Sequence, residues 1–293
     1  MLPLPLFLMT DPDHFDVSYQ INPWMKPDAW QADPVGSLRA AKIAWAQLAQ
    51  ALRASGAHVE SIAAVAGLPD LVFFANAAIA LDRRVLLAQF RNPERQGEEA
   101  VFRAAFETLR HRGLVEEIFE FPEGVFQEGA GDCIWDAERG IFWAGYGPRS
   151  SRQAIPLIEK IFQQEVVPLE LASERFYHLD TCFCALEGGN VLYYPPAFTP
   201  AALAKIHARV PEQCRIEATK PEGDAFCVNA INLGRRIIMA KAPETLKSRL
   251  SALGYSVIEV DLAPFILSGG ASYCMTLRLD RVSTTRQVIC AAE

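Results

Sequence analysis

The sequence predicts an α/β fold in which one small unit, several short strands and one helix, recurs five times and closes into a ring. Three observations lead there. An amphipathic helix, a break and a strand recur along the chain at intervals of roughly 50 residues, the range in which whole supersecondary units repeat. Short apolar runs bounded by turn residues fill the intervals and read as further strands. No long linker or low-complexity stretch divides the 293 residues. Residues 1–293 therefore read as a single domain, and a closed ring removes the exposed sheet edges that open repeats would leave.

The elements follow in order. The second half of MLPLPLFLMT reads as a first core strand. A helix is predicted over 37–55, where Leu38, Ala41, Trp45, Leu48 and Leu52 fall at three- and four-residue steps on one face. Gly56 stops it, because glycine adopts positive φ cheaply, and the strand AHVESI follows. DLVFF and RVLLAQF are the next strand candidates. Phe102, Phe106 and Leu109 make the second helical stripe, Gly113 its stop. GIFWAGY precedes a weaker copy in LIEKIFQQEVVPLEL, and TCFCALEG and NVLYY precede another in LAKIHARVPEQCRIEA. FCVNAI and RRIIMA lead to RLSALGYSVIEV, where Leu246, Leu250 and Leu253 line the face before Gly254. CMTLRL is the last strand candidate.

Hydrophobic residues make up 51% and charged residues 22%, enough for a large core and a solvated surface. The net charge of −7, with no basic stripe, argues against nucleic acid or an anionic membrane as partner. It is compatible with small cationic substrates. No run reaches the roughly 18 apolar residues that a spanning helix needs, and the N-terminus has no basic region ahead of its apolar stretch. Seven cysteines, an odd number without regular spacing, suggest a reducing compartment and a cytoplasmic location. Cys182 and Cys184 share one face of a strand; buried thiols are the favoured reading there, a metal site the minor one.

Five stretches carry candidate chemistry. In LPDLVFFAN, Asp70 and Asn76 bracket an apolar run, and turn punctuation alone accounts for either. In FRNPERQGEE, Arg95 lies just before a helix, where a cation is electrostatically out of place and an anion-binding role is the alternative. FQEGAGD sets Glu128 and Asp132 beside glycines that permit close approach of backbone or ligand. RFYHLDT carries His178 and Asp180; a histidine titrates near neutrality and suits general acid/base work. SGGASYC ends on Cys274, where a flexible loop meets a strand and can present a nucleophilic thiol.

Taken together, LPDLVFFAN, ERQGEE, EGAGD, GYGPRS, FYHLDTCFC and GGASYC resemble, in order and approximate spacing, the guanidino-group-modifying enzymes: arginine deiminases, dimethylarginine dimethylaminohydrolases and amidinotransferases. The resemblance covers nearly the whole chain. It implies the pentein fold, a five-bladed pseudo-symmetric α/β propeller of ββαβ units around a central site. With DPDHFDVSYQINPWM included, the chain is most similar to the arginine dihydrolase branch, which implies conversion of arginine to ornithine, carbon dioxide and two molecules of ammonia.

Carried over residue by residue, the resemblance implies Cys274 as nucleophile, His178 as general acid/base and Glu128 as the acid that contacts the guanidinium. Asp70, Arg95 and Arg149 match substrate-holding positions, the two arginines as carboxylate anchors. Asn22 and Asn76 match the asparagines of the dihydrolase branch; deiminases place an aspartate where Asn76 stands. An amide both donates and accepts, so Asn76 is suited to hold a neutral ureido intermediate for a second hydrolysis. Asp180 is placed either to support His178 or to bind substrate. The implied chemistry is covalent, through a thiouronium adduct, and needs no metal and no organic cofactor. The expected partner is a small guanidino amino acid, and a homo-oligomer is compatible with the sequence. Three other readings stay open: release of citrulline by a deiminase or dimethylarginine hydrolase, transfer of the amidino group to an amine, and a non-catalytic binding protein on the same scaffold.

Overall fold

The computed structural model describes residues 4–283 and contains five three-stranded sheets. β1 (Leu6–Thr10) and β2 (His58–Ile62) run parallel, joined by the helix Pro34–Ala54. The next sheet pairs β3 (Ala78–Leu81) antiparallel with β4 (Arg84–Leu87); the helix Glu98–His111 then returns the chain to β5 (Glu117–Phe119), parallel to β4. The pattern repeats with β6 (Cys133–Asp136), β7 (Ile141–Tyr146), the helix Ile155–Phe162 and β8 (Glu165–Glu170). It repeats with β9 (Phe183–Ala185), β10 (Val191–Tyr193), the helix Pro200–Arg209 and β11 (Arg215–Glu217). The last full copy is β12 (Ile231–Leu233), β13 (Arg236–Met239), the helix Glu244–Ala252 and β14 (Ser256–Glu259).

The first sheet lacks an opening strand of its own. β15 (Leu277–Arg278), near the other end of the chain, supplies it by pairing antiparallel with β1. The ring of ββαβ units is closed by this pairing, so the chain is a five-bladed α/β propeller.

Each helix exists because its apolar face packs on its own blade. Phe102, Phe106 and Leu109 are buried, and Phe74 meets Phe102 edge-on at a 5.3 Å ring separation. Side chains of this size stabilise by about 1.5–3 kcal/mol each when fully buried. The first helix starts at Pro34, three residues before the predicted start, because Asp33 caps it by accepting from the Gly36 N–H at 2.9 Å. Leu253, expected on the buried stripe, is 39% exposed; it is the residue just after the helix.

Three strand expectations are corrected. DLVFF is not a strand: Pro69–Val72 and Phe74–Ala77 form two 3-10 turns, and β3 begins only at Ala78. The run is apolar because it is buried on all sides, Leu71 and Phe74 in one cluster and Val72 and Phe73 in another. FCVNAI enters its strand only at Ile231, and CMTLRL only at Leu277. In all three, the residues before the strand form turns rather than extended chain. Among the described residues no helix is long and apolar enough to cross a membrane.

Candidate active site

The site is built from the turns that precede the first strand of each blade. Asp70 and Asn76 precede β3, Glu128 and Asp132 precede β6, His178 and Asp180 precede β9, and Cys274 precedes β15. Glycines let these turns approach one another. A Cβ on Gly131 would lie 2.3 Å from the Asn76 Nδ2, and one on Gly270 2.3 Å from the Phe73 ring. No side chain fits at either position.

Cys274 is 2% exposed. Its Sγ lies 2.9 Å from Asp180 Oδ2 and receives an N–H from Asn229 Nδ2 at 3.0 Å. Burial, and then the neighbouring Asp180, push the thiol well above its ordinary value. Burial likewise raises Asp180 to about 7, against the hydrogen bonds from Cys274 and Asn229. Asp180 Oδ1 is buried and accepts no hydrogen bond among the described residues. A buried carboxylate oxygen without a partner is costly, and it is a ready acceptor for a cationic ligand.

Glu128 is fully buried. Its Oε2 accepts from His178 Nε2 at 2.7 Å and from Arg149 at 3.0 Å, and Oε1 takes the Arg91 backbone N–H at 3.3 Å. Burial opposes its charge, yet Arg149 and His178 hold its carboxyl well below the usual carboxylate range. Asp132, pushed to about 6 by burial, takes the Ser150 hydroxyl at 2.6 Å and the Leu179 N–H at 2.9 Å. It thereby fixes the loop that carries His178.

Arg95 is buried and held bidentately by Glu98, at 2.9 and 2.8 Å. Burial pushes Glu98 to about 7 despite this pairing. Arg95 also donates to Asn76 Oδ1 at 2.9 Å, while Asn76 Nδ2 donates to the Glu128 carbonyl at 3.0 Å. The Asn76 amide is thus fixed at both ends. Arg149 stacks on Tyr177, 4.7 Å from its ring centre, and donates to the Ile21 carbonyl at 3.0 Å. Asp70 accepts from Tyr19 at 2.8 Å and Ser268 at 3.1 Å. Asn22 caps the turn after it and donates to the Ser268 carbonyl at 3.1 Å.

Asn22, Asp70, Asn76, Arg95, Arg149 and Cys274 line one enclosed cavity of about 10 Å³. Glu128, His178 and Asp180 lie directly behind it through the contacts above. The nine residues matched through the resemblance therefore lie together in one buried centre, with Asp132 beside them. Sequence reasoning missed Asn229, Ser150, Ser268 and Glu98. Asn229 was hidden inside FCVNAI, read as a strand; Glu98 looked like an ordinary acidic first-turn residue.

A five-bladed α/β propeller of ββαβ units around a buried polar centre is the pentein architecture. The model of the family described as N,N dimethylarginine dimethylhydrolase, eukaryotic, matches residues 11–281. The chain belongs to this dimethylarginine dimethylaminohydrolase family. It is 43% identical over 93% of its length to the bifunctional arginine dihydrolase/ornithine cyclodeaminase ArgZ of Synechocystis sp., and 33% identical over 93% to an N(G),N(G)-dimethylarginine dimethylaminohydrolase of Mycobacterium tuberculosis. The chain spans 37% of the length of the first and 85% of the second. The solved N-terminal domain of ArgZ, a cysteine mutant bound to substrate, superposes with a TM-score of 0.89 at 41% identity, over 95% of this chain and 99% of that one.

Proposed function

We propose that the chain is a cysteine-dependent arginine dihydrolase, folded as one catalytic propeller, that takes L-arginine to ornithine, carbon dioxide and ammonia. The observation that carries this reading is the buried grouping of one thiol, one imidazole and two carboxylates, one of them with an unpartnered oxygen. That environment disfavours an isolated thiolate and favours a planar cation. The similarity to ArgZ, a dihydrolase by name, points to arginine.

A guanidinium entering the cavity supplies N–H donors to Asp180 Oδ1 and Glu128 by charge-assisted hydrogen bonds. Its positive charge offsets the two acids, and the Cys274 proton passes to Asp180 along the existing 2.9 Å contact. The thiolate attacks the guanidino carbon, forming the S–C bond, and His178 protonates the departing ammonia. His178 then takes a proton from water, whose oxygen adds to the carbon as the C–S bond breaks, giving the ureido group. In a second round the thiolate attacks the ureido carbon and expels ammonia; water adds to the resulting thiocarbamate as the C–S bond breaks, and the carbamate so formed splits its C–N bond into carbon dioxide and the ornithine amine.

The two arginines divide the anchoring. Of its five N–H donors, Arg95 uses four, two on Glu98 and one each on Asn76 and the Asp70 carbonyl. Arg149 uses two. Arg149 therefore holds most of the substrate carboxylate, and Arg95 contributes one donor while setting the Asn76 amide. A cavity of about 10 Å³ does not admit arginine, so the site widens on binding. A second reading, release of citrulline from arginine or its methylated forms, is favoured by the Mycobacterium tuberculosis relative; product identity separates the two.

The test compares Cys274→Ala with Cys182→Ala. The Cys182 thiol, also buried, only contacts the carbonyls of His178 and Leu179. Turnover of L-arginine is expected to vanish in the first and to persist in the second. Equal effects, or no turnover of any guanidine by the unaltered enzyme, would overturn the reading.

A further inference from the structure

Four of the five blades place polar side chains of the proposed site in the turn before their first strand. The remaining blade, β12 to β14, has there the stretch 227–230, and from it Asn229 reaches the centre. This asparagine is 0% exposed. Its Oδ1 accepts the backbone N–H groups of Tyr273 at 3.0 Å and Cys274 at 3.2 Å. Its Nδ2 donates to Cys274 Sγ and to the Asp180 carbonyl, both at 3.0 Å. Its own carbonyl accepts the Ser272 hydroxyl at 2.7 Å.

The two backbone N–H groups can only meet an oxygen, which fixes the orientation of the amide. The nitrogen must then face the sulfur. A buried side chain with its whole hydrogen-bonding capacity spent on the Cys274 loop, the thiol and the Asp180 backbone has a role in the centre's geometry.

We propose that Asn229 is the thiol clamp of this enzyme: its oxygen holds the Cys274 backbone in place, and its N–H stabilises the thiolate that attacks the guanidino carbon. The proposal deepens the dihydrolase reading and rests on it for the identity of the attacked carbon. A donor to an ionised acceptor is stronger than one to a neutral acceptor, so the contact strengthens as the thiol loses its proton. It opposes Asp180, the acid that faces the sulfur from the neighbouring turn. The other ionisable groups of the centre are His178 and Glu128 behind the cavity, Tyr177, and Arg95, Arg149 and Asp70 across it. None of these donates to the sulfur among the described residues; Asn229 does.

The test is the rate of iodoacetamide alkylation of Cys274 from neutral to alkaline pH, read on the Cys274 peptide by mass spectrometry. It is made on the unaltered enzyme, Asn229→Ala and Asn229→Asp, with thermal unfolding followed in parallel. Asn229→Asp keeps an oxygen for the two backbone N–H groups and removes the donor; Asn229→Ala removes both without adding charge. Both profiles are expected to move to higher pH by about one unit or more, a tenfold or greater loss of alkylation rate at neutral pH. If neither moves, or only the aspartate variant does, the donor role is refuted and charge alone is at work. Should the alanine variant not fold, Asn229→Leu, likewise uncharged and without a donor but closer in size, takes its place under the same outcomes, and an unmoved aspartate profile overturns the proposal in either case. The titration needs no substrate, so it fails or succeeds separately from the arginine reading, which the turnover of the unaltered enzyme decides.

Discussion

Asp180→Asn should make the protein more stable and less active, with a pH signature that can be worked out beforehand. Burial raises the Asp180 carboxyl to about 7 from an ordinary 3.8. A raised carboxyl favours the protonated form in the folded state, so its stabilisation is complete below the unfolded value and is lost as pH rises through the folded one. Integrating the linkage between those two values gives a cost of about 2 kcal/mol at pH 5 and about 4 kcal/mol at pH 8, relative to a neutral side chain. Asparagine carries no such cost and keeps an oxygen for Cys274. Glu98 and Asp132, also raised by burial, titrate equally in both proteins and cancel. The gain over the unaltered enzyme should therefore grow by roughly 2–3 kcal/mol between pH 5 and pH 8, or about 4–6 °C in midpoint for a chain of this size. Thermal unfolding of both proteins at the two pH values is the assay. A gain that is flat with pH, or larger at the acid end, would refute the account of Asp180 as a buried acid held near neutrality. Turnover should fall at least a hundredfold in the same variant, the scale of a lost proton-transfer group.

Other expectations follow from the same contacts. Asn76→Asp should shift the product from ornithine toward citrulline, because a carboxylate there favours a cation over the neutral ureido group; amino-acid analysis of the product reads this directly. Glu98→Ala leaves Arg95 buried without its bidentate partner, so the unfolding free energy should drop by about 3–5 kcal/mol and Asn76 should lose its orientation. Gly270→Ala brings a Cβ against Phe73 and should cost about 1–3 kcal/mol by overpacking, with a loss of activity that Gly56→Ala, at an open turn, would not show. Arg149→Leu should raise KM for arginine far more than for guanidines lacking a carboxylate.

Most of the fold could be read from the chain because each blade carries one amphipathic helix and a glycine or turn stop. The stripe of Phe102, Phe106 and Leu109 is a helix signal with no strand equivalent. What failed was the boundary of the inner strands. DLVFF, FCVNAI and CMTLRL are mostly apolar and mostly buried, and a mostly apolar run has no clear period to distinguish a strand from a turn. Those same turns carry the site. Cys274, His178, Glu128, Asp180, Asp70, Asn76, Arg95, Arg149 and Asn22 were legible through motif resemblance, and they meet in one centre. Glu98 and Asn229 were not, because their roles lie in contacts with Arg95 and Cys274 that sequence separation conceals. The division of labour proposed for the arginines likewise rests on the donor count at each guanidinium.

The measurement that bears most directly on the account is the stoichiometry of products from L-arginine with the purified chain, resolving ornithine from citrulline and counting ammonia. The dihydrolase reading predicts ornithine with two ammonia per arginine consumed. Citrulline accumulating with one ammonia would contradict it and remove the role assigned to Asn76.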